Sequence, residues 1–230
     1  MKDKPLILNI ETATNVCSVA LARGNNILNY LEVKENNSHS KVLTSLIERA
    51  FNNSYYKINE LDAIAVSKGP GSYTGLRIGV SSAKGLAYGK GVPLLSVATL
   101  LVLAYAARKK HPLKQYMPMI DARRMEVYTS LYDKDLNQRK PISADIIDSD
   151  IYKDISADEI ILVGDGAKKC KNVLTNPRYV LDEDIYLSAK DMVELSYQKY
   201  CSQDFEDVAY FEPYYLKEFI AVKSKVKGLY

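Results

Sequence analysis

One pattern occurs twice in this chain, and it restricts the choice of fold more than any single motif. Leu6-Ile7-Leu8-Asn9-Ile10 reads as a buried strand closed by an acid, Glu11. A polar turn over Thr12 to Asn15 follows, and Val16 to Ala22 returns as a second strand. At an offset of 110 residues, Tyr116 to Ile120 is again a strand closed by an acid, Asp121, with Glu126 to Tyr132 returning after a turn. Glu11 then falls on Asp121, Val19 on Thr129 and Leu21 on Leu131. Each copy also carries a strand that runs into a glycine turn and a helix start. These are Leu61 to Val66 before Gly69-Pro70-Gly71, and Ile160 to Val163 before Gly164-Asp165-Gly166. A unit of this length is too long for a solenoid repeat.

Strands that alternate with helices and recur as one duplicated unit give an α/β class. Acids closing the first strand of each copy suggest the actin-like ATPase (ASKHA) architecture, with two duplicated RNase H-like lobes. The expected division is 1–105 for the N-terminal lobe and 106–230 for the diverged C-terminal lobe. Further strands are expected at Ile27 to Lys34 and Leu94 to Val97. Helices are expected after an Asn37 or Ser38 cap, from the glycine loop to about Tyr88, over Thr99 to Lys110, and after Ser188.

The first junction is the richest stretch, Gly69-Pro70-Gly71-Ser72-Tyr73-Thr74-Gly75-Leu76-Arg77-Ile78-Gly79. A strand, a glycine loop and a helix start expose backbone N–H groups at the positive end of a helix dipole, which suits an anion. The loop has no Gly-Lys-Ser/Thr, so it is not a Walker A loop, and its glycine spacing does not fit the dinucleotide fingerprint. Glu11, Gly69, Gly71, Ser72 and Thr74 form the candidate nucleotide or phosphate loop. For Glu11 a second reading, a carboxylate accepting N–H groups from its own turn, carries more weight.

The helix that follows is rich in small residues. Gly75, Gly79, Ser82 and Gly89, with Leu86 completing the row, fall at spacings that share a helical face. Glycine within a helix costs about 1 kcal/mol relative to alanine, so a close neighbour is expected to offset it. A partner chain is the favoured neighbour, with Arg77 beside it.

Composition excludes other classes. The 230 residues carry a net charge of +3, too mild for a dedicated nucleic-acid face. Three distant cysteines suit a reducing compartment, and no apolar run reaches a membrane span or a signal-peptide core, so a cytoplasmic location is expected. His39 reads as solvent-facing and His111 as a surface cap. No His-x-x-x-His and no cysteine pair at metal spacing occur, so no metal site is expected. Lys223, Lys225 and Lys227 read as a solvated terminus.

The Ile7 to Thr14 strand and turn, Cys17 to Leu21, His39-Ser40, the Gly69 to Gly79 block and the Asp121 to Tyr128 hairpin together resemble the bacterial TsaB (YeaZ) family. The likeness spans the whole chain. Tyr73 stands where that family commonly has Phe, and Glu11 where Asp is common. The resemblance implies an accessory role, without catalysis of its own, in making threonylcarbamoyladenosine beside the anticodon of tRNAs that read codons starting with A. It implies a heterodimer with the catalytic paralogue TsaD through the N-terminal lobe, with the small ATPase TsaE joining them. It further implies a homodimer when the chain is alone, and indirect or weak tRNA contact. ATP or ADP, if bound, is expected near the partner interface. The alternative is a small-molecule kinase or ATPase of the actin-like class.

Overall fold

The structure, a computed structural model, describes residues 4–34 and 39–217. Among these residues ten strands form two five-stranded mixed sheets. In the first, β1 (Leu6–Glu11), β2 (Val16–Arg23), β3 (Asn26–Lys34), β4 (Ala63–Ser67) and β5 (Leu94–Val97) lie in the order β3-β2-β1-β4-β5. In the second, β6 (Gln115–Asp121), β7 (Glu126–Tyr132), β8 (Gln138–Ile146), β9 (Ile160–Val163) and β10 (Tyr179–Asp182) lie in the order β10-β9-β6-β7-β8. Read from the opposite edge, the two orders are the same. In each sheet the first strand pairs antiparallel with the second and parallel with the fourth.

The copies differ by one residue in register. Val19 faces Ile10 in the first hairpin, whereas Thr129 faces Met119 rather than Ile120 in the second. The second turn is therefore tighter, and it holds both Arg123 and Arg124 at positive φ, 68° and 48°. Glu126 N–H donates to the Arg123 carbonyl at 3.1 Å, which closes the turn.

Five α-helices complete the described fold: α1 (His39–Asn52), α2 (Tyr73–Lys90), α3 (Thr99–Lys110), α4 (Asp165–Cys170) and α5 (Val193–Cys201). The N-cap expected at Asn37 or Ser38 lies outside the described residues, as do Lys223, Lys225 and Lys227. α1 and α2 cover the outer face of the first sheet, where Leu43, Leu46, Val80 and Ala83 pack on Leu8, Ile10, Ile64 and Val66. α4 covers the outer face of the second sheet, around Met117, Met119, Leu162 and Cys170.

A third apolar cluster joins the lobes. Ile7, Ala20 and Leu95 of the first sheet, Leu100 and Leu103 of α3, Tyr116, Ile120 and Val163 of the second sheet, and Met192 and Val193 belong to one buried group. The expected 105/106 division falls inside α3, so one helix serves both lobes. Residues of the second half also return to the first sheet. Ala189 N–H donates to Ser18 Oγ at 2.9 Å, and Ser196 Oγ donates to Asn9 Oδ1 at 2.6 Å. That bond accounts for an Asn in a strand whose six residues are all buried.

Candidate functional site

The strand–glycine–helix junction is built by close backbone approach. A Cβ at Gly71 would lie 2.5 Å from the Ala13 carbonyl oxygen, and one at Gly75 would lie 2.1 Å from the Thr12 carbonyl oxygen. The loop therefore lies flat on the turn that follows β1. Its hydrogen bonds run inward. Gly69 N–H donates to Thr99 Oγ1 at 2.9 Å, and Ser72 N–H donates to the Ala13 carbonyl at 2.7 Å. Gly75 N–H donates to Ser72 Oγ at 3.3 Å, so Ser72 caps α2. Three loop amides of the expected anion cradle are thus already paired. Thr74 is exposed at the helix start and lines the cleft between the lobes.

Glu11 does not reach that cleft. It is 0% exposed, and its Oε1 accepts from Ala13 N–H and from Ser67 Oγ, both at 2.7 Å. The reading of Glu11 as a carboxylate holding its own turn describes this contact. Its Oε2 is buried without a partner, as is Thr12 Oγ1 on the next residue. Desolvation pushes the Glu11 carboxyl up to about 7, against the lowering effect of its hydrogen bonds from Ala13 and Ser67. Burial, with Glu11 as neighbour, pushes the Cys17 thiol up to about 12.

The expected single glycine face of α2 divides. Gly75 and Gly79 are buried, and a Cβ at Gly79 would lie 2.2 Å from Thr12 Oγ1. Their close neighbour is the Thr12 turn of the same chain, which corrects the expectation of a partner helix at these two positions. At Gly85 and Gly89 an added Cβ would meet nothing within 4 Å. Ser82 and Leu86 are half-buried and line a groove of about 760 Å³ between α1 and α2. Ile47, Phe51, Tyr56 and Ile58 form its apolar wall. Tyr55 at its rim is fully exposed, and Tyr88 near the end of α2 is 84% exposed. Arg77 is exposed and holds its guanidinium 5.5 Å from the Tyr73 ring centroid, on the cleft side of α2.

The second cavity, about 810 Å³, lies between the lobes. One wall is the glycine loop with the Thr14–Asn15 turn, and the other is the Asp121 to Glu126 hairpin turn with Asp165. The segment Tyr214 to Lys217 crosses between them. Tyr214 N–H donates to the Lys68 carbonyl at 2.7 Å, the Tyr215 ring lies 4.8 Å from Tyr73, and Lys217 pairs with Glu126. Residues 210–215 are rich in aromatic side chains, and nothing in that composition says that the segment crosses the loop.

His39 is a second correction. It is 7% exposed and lines the cleft, and its Nε2 has no hydrogen-bond partner. His111 caps α3 and its Nε2 lies 2.6 Å from Asp182 Oδ2. No helix of the described residues is long and apolar enough to cross a membrane.

Comparison with known proteins agrees with this architecture. The family model described as TsaD, tRNA N6-adenosine threonylcarbamoyltransferase, matches residues 33–210. The tRNA threonylcarbamoyladenosine biosynthesis protein TsaB of Escherichia coli (strain K12) is 30% identical over 226 residues, covering 95% of this chain and 97% of that protein. TsaB of Bacillus subtilis (strain 168) is 38% identical over 127 residues, 55% of this chain and 54% of that one. The structure of YeaZ from Pseudomonas aeruginosa superposes with a TM-score of 0.82 at 24% identity, over 92% of this chain and 100% of that one, a likeness of fold. With a 30% identical TsaB protein matched over 95% of this chain and 97% of its own length, the chain belongs to the TsaB (YeaZ) family of tRNA threonylcarbamoyladenosine biosynthesis proteins.

Proposed function

We propose that this chain is the accessory, non-catalytic subunit of a tRNA threonylcarbamoyl transferase, and that it pairs with a TsaD paralogue through the α1–α2 face. The observation that carries the pairing is the apolar groove of about 760 Å³ between those helices, floored by glycine and serine and rimmed by exposed Tyr55. An open apolar groove flanked by small residues is a surface into which a partner's side chains can pack closely. Ser82, Leu86 and Gly89 stay in this interface. Gly75 and Gly79 act indirectly, by fixing α2 on its own lobe, and Arg77 borders the cleft instead.

In this reading TsaD transfers the threonylcarbamoyl group to the adenosine amine, and TsaE joins the pair. The same face closes a homodimer when the chain is alone. The His-x-x-x-His of the paralogue has no counterpart in the 230 residues, which supports an accessory role. The kinase alternative needs the β1 acid in the cleft, and Glu11 faces inward instead.

The test is reconstituted tRNA threonylcarbamoylation with the synthase, TsaD and TsaE, in the presence and absence of this chain. Dependence on the chain is expected. Full modification without it would overturn the reading. Gly85→Arg, which enters open space, should leave the melting temperature within a few degrees of wild type and abolish co-purification with TsaD. A variant that still assembles would remove the α1–α2 face from the interface.

A further inference from the structure

The charge of this chain is unevenly placed. Residues 39–60 and 73–90, which hold α1, the segment after it and α2, carry six basic side chains and two acidic ones. Their surplus of four positive charges exceeds the net charge of +3 for the whole chain, so the remainder is slightly acidic. α2 has Arg77, Lys84 and Lys90 and no acid over its 18 residues. The partners of these three are neutral. Lys84 Nζ donates to the Phe211 carbonyl at 2.8 Å, Lys90 Nζ donates to Asn59 Oδ1, and Arg77 stands over the Tyr73 ring. Lys41, Arg49 and Lys57 are exposed and make no ion pair with a described residue. Of the two acids, Glu60 accepts from the Lys57 N–H at 2.7 Å, and Glu48 is exposed on the groove.

These charges surround the apolar groove rather than fill it. Its lining holds one acid and one base, Glu48 and Lys57. Lys41 lies on the row of α1 that carries Thr44 and Glu48, three and seven residues on. Lys90 closes α2 beside Asn59, next to Ile58 of the apolar wall. An apolar centre inside a polar, charged rim is the anatomy of a protein–protein contact. Rim charges decide which partner is approached, and how fast, more than how tightly it is held. In an isologous pair the same patch lies on both sides, so a second copy would meet this surplus with its own. Like charges set against each other disfavour one pairing without weakening another.

We propose that the basic rim of the α1–α2 face selects its partner by charge: it takes a TsaD paralogue whose contact face is acidic, and it holds off a second copy of this chain. The inference rests on the pairing proposed above and adds the chemistry of the partner's side. The heterodimer gains from attraction across the rim, so added salt weakens it. A homodimer on the same apolar groove forms against repulsion, so added salt does not weaken it. One face then gives opposite salt responses with its two occupants.

The experiment measures the affinity of the full chain for TsaD, and separately for itself, by sedimentation equilibrium. The salt is set at about 0.05 M and about 0.5 M, which shortens the reach of exposed charges roughly threefold. Affinity for TsaD should fall about tenfold with salt, and self-association should hold or tighten. Lys41→Glu with Lys57→Glu reverses two exposed rim charges. The double variant should bind TsaD about tenfold more weakly at low salt and approach wild type at high salt, while its self-association tightens. Lys153→Glu, on an exposed turn of the second lobe, is the control for net charge and should bind as wild type does. If the double variant fails to fold, the salt series on the wild type decides. A complex with TsaD that is indifferent to salt and to the reversal overturns the charge selection and leaves the pairing standing. Self-association that weakens with salt as the heterodimer does overturns it too. If no complex with TsaD forms at either salt, the pairing is wrong and this inference falls with it.

Discussion

Glu11 shows how one buried atom sets a measurable property. Its carboxyl has one oxygen fully engaged and the other without a partner, so the protonated form is favoured in the folded state. The folded group holds its proton up to about 7, whereas the ordinary carboxyl releases it near 4.5. The folded state therefore binds the extra proton across that interval. The stability it contributes is fully present below about 4.5 and is lost as pH rises through about 7. The size is on the order of 3 kcal/mol at most, since a tenfold change in proton affinity corresponds to about 1.4 kcal/mol. Glu11→Gln should flatten this dependence, and melting curves of both proteins across that pH range check it. Parallel curves would contradict it. The strand-end acid was legible in the sequence, and so was its rank as a turn carboxylate. The burial of His39 was not, because an isolated histidine at a helix start carries no sign of what will cover it.

At the scale of the element, α2 reverses the usual effect of a substitution along its length. Alanine for glycine in a helix gains up to about 1 kcal/mol. Gly85→Ala and Gly89→Ala should stabilise the protein by roughly 0.5–1 kcal/mol, because nothing lies within 4 Å of the added carbon. Gly75→Ala and Gly79→Ala should destabilise it by about 1–3 kcal/mol, the usual scale of overpacking, because Thr12 blocks both positions. Urea unfolding of the four variants checks the change of sign. A uniform effect along the helix would show that the Thr12 contact does not matter.

The spacing of the small residues was readable, but the identity of the neighbour was not. A helix row says that something approaches closely, without saying whether it is the same chain. Most strands were legible as short apolar runs, and α3 was expected over its observed Thr99–Lys110. β8 was not expected, because Gln-Arg-Lys-Pro-Ile-Ser-Ala-Asp-Ile has neither an apolar run nor strict alternation. As an edge strand it tolerates Pro141 and needs little apolar surface. β10 was not expected either, because it lacks the fully buried apolar run that marks β5 and β9, which are equally four residues long.

For the whole molecule, the duplicated topology was visible at the offset of 110 residues, but the way the copies join was not. α3 and the Ala189 to Cys201 segment fill the space between the sheets. A fragment of residues 1–110, ending with α3, would leave Ile7, Ala20 and Leu95 without the Met192–Val193 cover. It should bind a hydrophobic dye and lack a cooperative melt, whereas the full chain should unfold in one transition. A fragment that melts sharply by itself would show that the lobes are independent. The Ser196–Asn9 bond adds to this joint, and Ser196→Ala should cost about 1–3 kcal/mol by leaving Asn9 Oδ1 unpaired.

A core held in common also limits how the molecule can respond to what it binds. Two bodies joined by a thin linker can swing, and a ligand can be gripped by their closing. Here the axis of any such swing would pass through packed side chains of both sheets, and rotating one lobe would tear open the interior. The cleft is therefore a fixed recess rather than a jaw. Whatever reaches it meets the tyrosine-bearing segment across the mouth and the arginine turn beneath it. To its partners such a protein is a shaped plate, whose message is written in what covers it.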